Sequence, residues 1–232
     1  MLLVSRREFL KVTGMGAVTV FLSGCGVLGM TGNGELSGKA AKAAEPQAIS
    51  KGKKLKIVVI TGSAHAKGTS AYLADRFIQG AMEAGHSVTR FNAAFEKYQL
   101  CTGCEKCKGN GECIFKDAIT DKLMQPLLEA DVVALITPLY YYTFSAQIKG
   151  VIDRFYSHVQ DPKLKGKSAI LMATAYNSSE DTMPALVKNY QAILKTLDWQ
   201  DAGEVLAIGC GARSLIESSK FGGQAYEIGK KL

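Results

Sequence analysis

The sequence predicts an α/β fold built on a doubly wound, five-stranded parallel sheet, and three observations predict it. Short apolar runs recur from Leu55 onward, helical periodicity fills the intervals, and two runs end in loops of small, hydroxyl or aromatic residues. The runs are LKIVVI at 55–60, SVTRF at 87–91, DVVALI at 131–136, SAILMA at 168–173 and EVLAIG at 204–209. After the first, Leu73, Phe77, Ile78, Ala81 and Met82 mark one face of a helix that Gly85 can end. Further helices are predicted over 117–128, 144–158, 181–197 and 223–231.

This succession meets the requirement of a flavodoxin-like sheet, in which ligands sit at the carboxyl ends of the strands. The 232 residues are 47% hydrophobic and 21% charged with 5 prolines, which excludes a disordered or collagenous chain. Net charge is +7, but seven cations and three anions fall in residues 1–53, leaving +3 for the rest. No stripe of Lys and Arg interleaved with aromatics follows, so nucleic acid is not an expected partner.

Ser5-Arg6-Arg7 and Phe9-Leu10-Lys11 precede an apolar run from Val12 to Leu22. This segment resembles a twin-arginine export signal. The run is shorter than the ~20 residues that span a bilayer, so a permanent membrane helix is not expected. It ends in Leu22-Ser23-Gly24-Cys25, which resembles a bacterial lipobox and implies a lipidated Cys25. Ala41-Lys42-Ala43 is a competing cleavage site. The expected organisation is a signal peptide at 1–24, a flexible tether at 25–53 rich in Gly, Ala, Ser and Lys, and a folded domain at 54–232. The resemblance implies export in folded form with a cofactor already inserted, and a location in the periplasm or at the outer face of the membrane through a lipid anchor.

Two loops carry chemistry. Thr61-Gly62-Ser63-Ala64-His65-Ala66-Lys67-Gly68-Thr69-Ser70 joins an apolar strand to a helix, and its small and hydroxyl residues let backbone N–H groups wrap a phosphate. A plain capped turn accounts for the same composition. It has neither the GxGxxG spacing nor a Walker GK[ST]. Pro138-Leu139-Tyr140-Tyr141-Tyr142 follows the third strand, where aromatic groups suit a flat ring system or a subunit contact.

Together with Cys101-Thr102-Gly103-Cys104-x-x-Cys107, LEADVVALITPLYYYTFSAQIKGVIDRF and the terminal AYEIGKKL, these loops resemble the NAD(P)H-dependent FMN reductase-like family and its iron-sulfur flavoprotein branch. The resemblance implies a non-covalent FMN, its phosphate held by Ser63, His65, Gly68, Thr69 and Ser70. Its ring would be bordered by Pro138, Leu139, Tyr140 and Tyr141, with a third contact loop at Thr174, Ala175, Tyr176 and Asn177. Where many relatives read Gly-Ser-Pro-Arg, this chain has Gly62-Ser63-Ala64-His65, so an imidazole stands in place of a fixed arginine charge and phosphate affinity is expected to vary more with pH.

Four of the 6 cysteines form C-x2-C-x2-C-x5-C at Cys101, Cys104, Cys107 and Cys113, in a loop containing Gly103, Gly109 and Gly111. Three chemistries compete for them: a [4Fe-4S] cluster, a structural zinc site and two disulfides. Consecutive x2 spacings resemble the ferredoxin run and the iron-sulfur flavoprotein motif, whereas zinc sites usually separate two CxxC pairs. Lys106, Lys108 and Lys116 flank the thiols, and Cys210 reads as a buried structural thiol.

No Ser-His-Asp set, HExxH or paired acid motif occurs, which leaves redox chemistry. Lys149, Asp153 and Arg154 read as an i,i+4 ion pair and a subunit contact. The expected activity is FMN-dependent electron transfer with a small-molecule or protein redox partner, in a homodimer or homotetramer. The alternatives are an FMN-only NAD(P)H- or quinone-linked reductase with structural cysteines and a flavodoxin-like carrier without catalysis.

Overall fold

The computed structural model describes residues 52–232; the segment expected to be an export signal, Cys25 and nearly all of the expected tether lie outside the described residues. Within them five parallel strands form one sheet: β1 (Lys56–Thr61), β2 (Ser87–Asn92), β3 (Val132–Pro138), β4 (Ser168–Thr174) and β5 (Gln200–Ala207), in the order β2-β1-β3-β4-β5. The three central strands are apolar without interruption because helices cover both their faces. Along β1 the pleat sends Ile57 and Val59 to one core and Val58 and Ile60 to the other.

On the first face lie α1 (Thr69–Glu83) and the C-terminal α6 (Phe221–Lys231), which bury Leu73, Phe77, Ala81 and Ala225. The second is covered by α2 (Met124–Glu129), α3 (Ala146–Arg154) and α4 (Pro184–Leu197), which bury Leu127, Ile148, Val151, Leu186 and Tyr190. A short α5 (Arg213–Glu217) follows β5. Among the described residues no helix is long and apolar enough to cross a membrane.

The differences from expectation have local causes. Strand β5 begins four residues earlier than its apolar run, since it is an edge strand that carries Gln200, Asp201 and Glu204. Its register slips between Ala169 and Leu171 of β4, where Gly203 (φ 143°) takes up the extra residue. The expected helix at 144–158 stops at Arg154 and continues as a 3-10 turn, Phe155–His158. The helix expected over 117–128 opens as a π turn, Ile119–Leu123, just before Pro126, which offers no N–H to the carbonyl of Lys122. Met82 is 61% exposed, because α6 packs on α1 through Gly80 rather than through Met82.

That helix pair crosses at two glycines. A Cβ on Gly80 would overlap the carbonyl oxygen of Tyr226, and one on Gly229 would overlap that of Phe77 and stand 2.8 Å from the amide of Ala81. Gly229→Ala should therefore lower unfolding free energy by about 1–3 kcal/mol in urea titration. Gly223→Ala, on the same helix with open space around its Cβ, should be neutral or stabilising by up to about 1 kcal/mol. Equal stability of the two variants would show that the crossing relaxes freely.

Candidate functional site

At the carboxyl edge of the sheet, three loops are tied to one another by named bonds. Gly62 N donates to Ile136 O (2.9 Å), and Ser145 donates from Oγ to Gly62 O (2.8 Å) and from N to Thr137 Oγ1 (3.1 Å). A Cβ on Gly62 would overlap Ser145 Oγ, so glycine there permits the clamp. The loop then turns, with His65 N donating to Ser63 Oγ (3.2 Å) and Gly68 N to His65 O (3.0 Å). Helix α1 begins at Thr69 with Gly68 at its N-cap and no side chain capping it. Thr69 and Ser70 both meet Thr174 Oγ1, at 3.0 and 2.8 Å, while Leu139 N donates to Thr174 O (2.8 Å).

Between the loops lies a cavity of about 660 Å³, within the usual range for small-molecule sites. Ser63, His65, Gly68 and Thr69 line it from the first loop, Pro138, Leu139 and Tyr140 from the second, and Thr174, Ala175 and Tyr176 from the third. Three further expected residues lie off its wall. Ser70 is 1% exposed and sits beneath it on Thr174, Tyr141 is 97% exposed on a turn, and Asn177 spends its side chain on the amide of Ser179 (3.0 Å). The turn is a tight one, closed by paired bonds between Tyr140 and Thr143 (3.2 and 3.1 Å), with Tyr141 and Tyr142 both left-handed (φ 46° and 64°). Lys67, Cys210, Gly211 and Arg213 also line the cavity and were not expected there. Lys67 belongs to the first loop itself; the signal for the other three is weak, a glycine-flanked loop after the fifth strand, legible only once that strand is placed beside the fourth.

The lining combines two kinds of group. It includes the uncapped start of α1, where the first-turn N–H groups have no intrahelical acceptor, together with the cations Lys67 and Arg213. It also includes Pro138, Leu139, Tyr140 and Tyr176. An anionic group joined to a flat ring uses both kinds, so the residues present fit a flavin mononucleotide.

The cysteine loop is built elsewhere, against the C-terminal half of α3. Left-handed Gly103, Glu105, Gly109 and Gly111 coil it, and Cys101, Cys104, Cys107 and Cys113 all line one small cavity of about 20 Å³ beside Asp153, Arg154 and Tyr156. Each is a free thiol; Cys101 and Cys104 are exposed. The Lys106 backbone amide is the main influence lowering the Cys104 thiol below its ordinary value. Among the described residues no three Cys, His, Asp or Glu side chains converge as metal ligands. The donor set thus has the chemistry of a thiolate-bound cluster, and the side chains stand around one cavity without converging on a point. Lys108 and Lys116 are paired with Glu105 (2.6 Å) and Glu112 (3.1 Å), which removes much of the positive field expected at the thiols.

Arg154 holds that loop closed. Its Nη1 donates to Gln99 O and Asp117 Oδ2, both at 2.8 Å, and its Nη2 to Phe115 O (3.2 Å) and Thr120 Oγ1 (3.1 Å), so both feet of the loop meet one guanidinium. Arg154 is 2% exposed and not a subunit contact; Lys149 and Asp153 form the expected i,i+4 pair (2.6 Å). A separate apolar groove of about 680 Å³ runs between α3 and α4 past Cys101, but it gathers neither the start of α1 nor the strand-edge loops.

Comparison with known proteins agrees with this architecture. Residues 55–210 match the family model for NADPH-dependent FMN reductase. An iron-sulfur flavoprotein of Archaeoglobus fulgidus is 34% identical over 49% of this chain and 51% of its own length, so the chain spans about half of that relative. Another, of Methanocaldococcus jannaschii, is 26% identical over 59% of this chain and 71% of its own. Among solved structures, an azoreductase from Bacillus anthracis superposes with TM-score 0.60 at 18% identity, over 77% of this chain and 100% of its own. An NAD(P)H:quinone oxidoreductase from Methanothermobacter marburgensis gives TM-score 0.57 at 17% identity, over 76% of this chain and 98% of its own. At those identities the structures establish the fold.

Arg154→Met should destabilise the protein by about 2–4 kcal/mol, because it breaks a largely buried ion pair and leaves the carbonyls of Gln99 and Phe115 without their donor, while backbone amides still hold Asp117. Thiol titration should at the same time find Cys107 and Cys113, now half-buried, reacting faster. Burial alone would raise the Asp117 carboxyl, but the Arg154 guanidinium and the amides of Gln99 and Thr120 outweigh it and hold the group below the ordinary carboxylate value. The pair's contribution should therefore be complete above about pH 4 and be lost as pH falls through the lower folded-state value, which acid melts of wild type and variant would resolve. Identical melts at neutral pH would remove the staple from the account.

Proposed function

The chain belongs to the NADPH-dependent FMN reductase family, and from that premise we propose that it is an FMN-dependent oxidoreductase acting on a small-molecule or protein redox partner. The observation that carries the reading is the cavity in which three strand-edge loops meet, lined by a helix start and two cations as well as by apolar and aromatic groups. Bound there, FMN supplies reversible one- or two-electron transfer. The chain's part is positioning: first-turn amides of α1 receive the phosphate, Pro138, Leu139 and Tyr140 border the ring, and the loop from Thr174 to Tyr176 reaches its polar edge.

The same proposal assigns a [4Fe-4S] cluster to Cys101, Cys104, Cys107 and Cys113. Support comes from their spacing, their shared cavity and the printed names of the Archaeoglobus and Methanocaldococcus relatives. With both groups the protein would convert between paired and single electrons. An FMN-only reductase with structural cysteines is the second reading, favoured by the exposure of Cys101 and Cys104. Export by the twin-arginine route, lipidation at Cys25 and a location at the periplasmic face rest on Arg6, Arg7 and Leu22-Ser23-Gly24-Cys25. Such a location removes the protein from cytoplasmic NAD(P)H, so its donor would be a membrane or periplasmic carrier. The exposed turn Tyr140–Tyr142 supports association of like subunits.

Anaerobically purified protein should bind close to one FMN per chain by absorbance and carry iron and sulfide in equal amounts. Cys107→Ala should lose most iron while keeping FMN, since the two sites share no lining residue. Iron-free protein with Cys101 to Cys113 paired as disulfides would leave the FMN-only reading; failure to take up FMN on reconstitution would end both. Replacing Arg6 and Arg7 by lysine should hold the protein in the cytoplasm, and Cys25→Ala should abolish acylation in metabolic labelling. Soluble mature protein beginning at Ala44, with none acylated, would overturn the lipoprotein assignment.

A further inference from the structure

We propose that Arg213, from the loop after β5, supplies the fixed cation for the phosphate monoester of the bound flavin mononucleotide. The inference rests on the reading of the loop cavity as the FMN site. The loop between β1 and α1 contains no arginine; its ionisable side chains are His65 and Lys67, and no carboxylate lines the cavity.

Local geometry brings Arg213 to that loop from 146 residues away. Gly209 N donates to Asn177 O (2.9 Å) and Cys210 N to Ala175 O (2.8 Å), which lays the end of β5 along the loop after β4. A Cβ on Gly211 would overlap the ring of Tyr176, so glycine there lets that ring lie against the chain as it turns toward α1. Arg213 then reaches across. Its Nη1 donates to Lys67 O (3.3 Å) and Gly68 O (3.4 Å), its guanidinium carbon lies 4.8 Å from the centre of the Tyr72 ring, and its Nε is held by Glu217 (2.5 Å).

These contacts orient the group without consuming it. Both carbonyl bonds are long and share one nitrogen, and Nη2 donates to no acceptor among the described residues. The Glu217 pair is exposed (37% and 48%), a class of pair that is weak in water. Lys67 and Gly68 immediately precede the uncapped first turn of α1, and Arg213 lines the same cavity, so the guanidinium stands beside the helix start to which a phosphate would be drawn. A dianionic phosphate is a stronger acceptor than a peptide carbonyl and offers the guanidinium a bidentate partner.

Fluorescence titrations of the full chain with FMN and with riboflavin, the same ring without phosphate, test this on wild type, Arg213→Gln, Arg213→Lys and the double variant Arg213→Gln/His65→Arg. Arg213→Gln should weaken FMN binding about ten- to a hundredfold and leave riboflavin binding unchanged within about twofold. Arg213→Lys should retain part of the preference for FMN, and arginine at position 65 should restore most of it. Equal loss of both flavins would assign Arg213 a purely structural role, and unchanged FMN binding would dismiss it from the site; either result overturns the proposal. An effect confined to NADPH over NADH would give the arginine to the dinucleotide's phosphate and also overturn it. Wild type that binds neither flavin would instead refute the FMN site itself, with this inference falling as a consequence.

Discussion

Thr174 is the residue on which the strand-edge cavity depends. It ends β4 at 3% exposure, and its hydroxyl meets Thr69 and Ser70 at the start of α1 while its carbonyl accepts the amide of Leu139. One side chain and one carbonyl thereby tie the first and second loops to the third. A buried hydroxyl with two hydroxyl neighbours must share their protons, so the three groups act as a network and losing one strands another. Ser70, which looked like a phosphate ligand from its position in the loop, is better placed as a support for that network. Its hydroxyl helps hold α1 where the uncapped turn faces the cavity.

A second, independent constraint governs the cysteine loop. Four thiols strung along a glycine-containing loop have too few apolar contacts to hold themselves, and exposure of Cys101 and Cys104 fits that. The loop is closed instead at its base, where Arg154 meets Gln99, Phe115 and Asp117. Its charge is buried and would be costly alone; Asp117 and two carbonyls make it tolerable. Among the described residues the Nε of Arg154 has no acceptor, and the Phe115 ring centre lies 5.5 Å from the guanidinium carbon.

Legibility in the sequence followed apolar and β-branched patterning more than burial, since the edge strand β2, expected at 87–91, runs 87–92 with only Phe91 buried. Strands β1, β3 and β4 are covered on both faces, so they read as unbroken apolar runs and were placed to within two residues. Strand β5, at the edge, alternates with Gln200, Asp201 and Glu204, and its first half carried no apolar signal. The loops that follow β1, β3 and β4 were readable from their residue types. Arg154 and Arg213 were not, because what each does is set by carbonyls far away in sequence, and an exposed-looking cation on a helix has no pattern that reveals a buried partner. Met82 failed for a related reason: helical periodicity locates an apolar stripe, but the close crossing at Gly80 and Gly229 decides which edge of it is covered.

The two constraints meet in α3. Ser145, at its N-cap, clamps Gly62 of the flavin-side loop, and Arg154, its last residue, staples the cysteine loop. Nine residues of helix extend about 14 Å, so both loops are indexed to opposite ends of one short rigid rod. Midway along it stands Gly150, where alanine would favour the helix by about 1 kcal/mol. The glycine is there for contact: a Cβ would lie 2.6 Å from Leu100 Cδ2, and Tyr98 donates from its hydroxyl to Gln147 O (2.7 Å). The segment leading from β2 into the cysteine loop therefore lies against α3 through the side chains of Tyr98 and Leu100, and the exposed Leu100 can turn aside for a methyl group at 150. Because the same segment carries Gln99, whose carbonyl Arg154 holds, the segment is tied to α3 at two points, by Tyr98 on Gln147 and by Arg154 on Gln99, and the position of the cysteine loop follows from that helix rather than from any contact with the flavin-side loop.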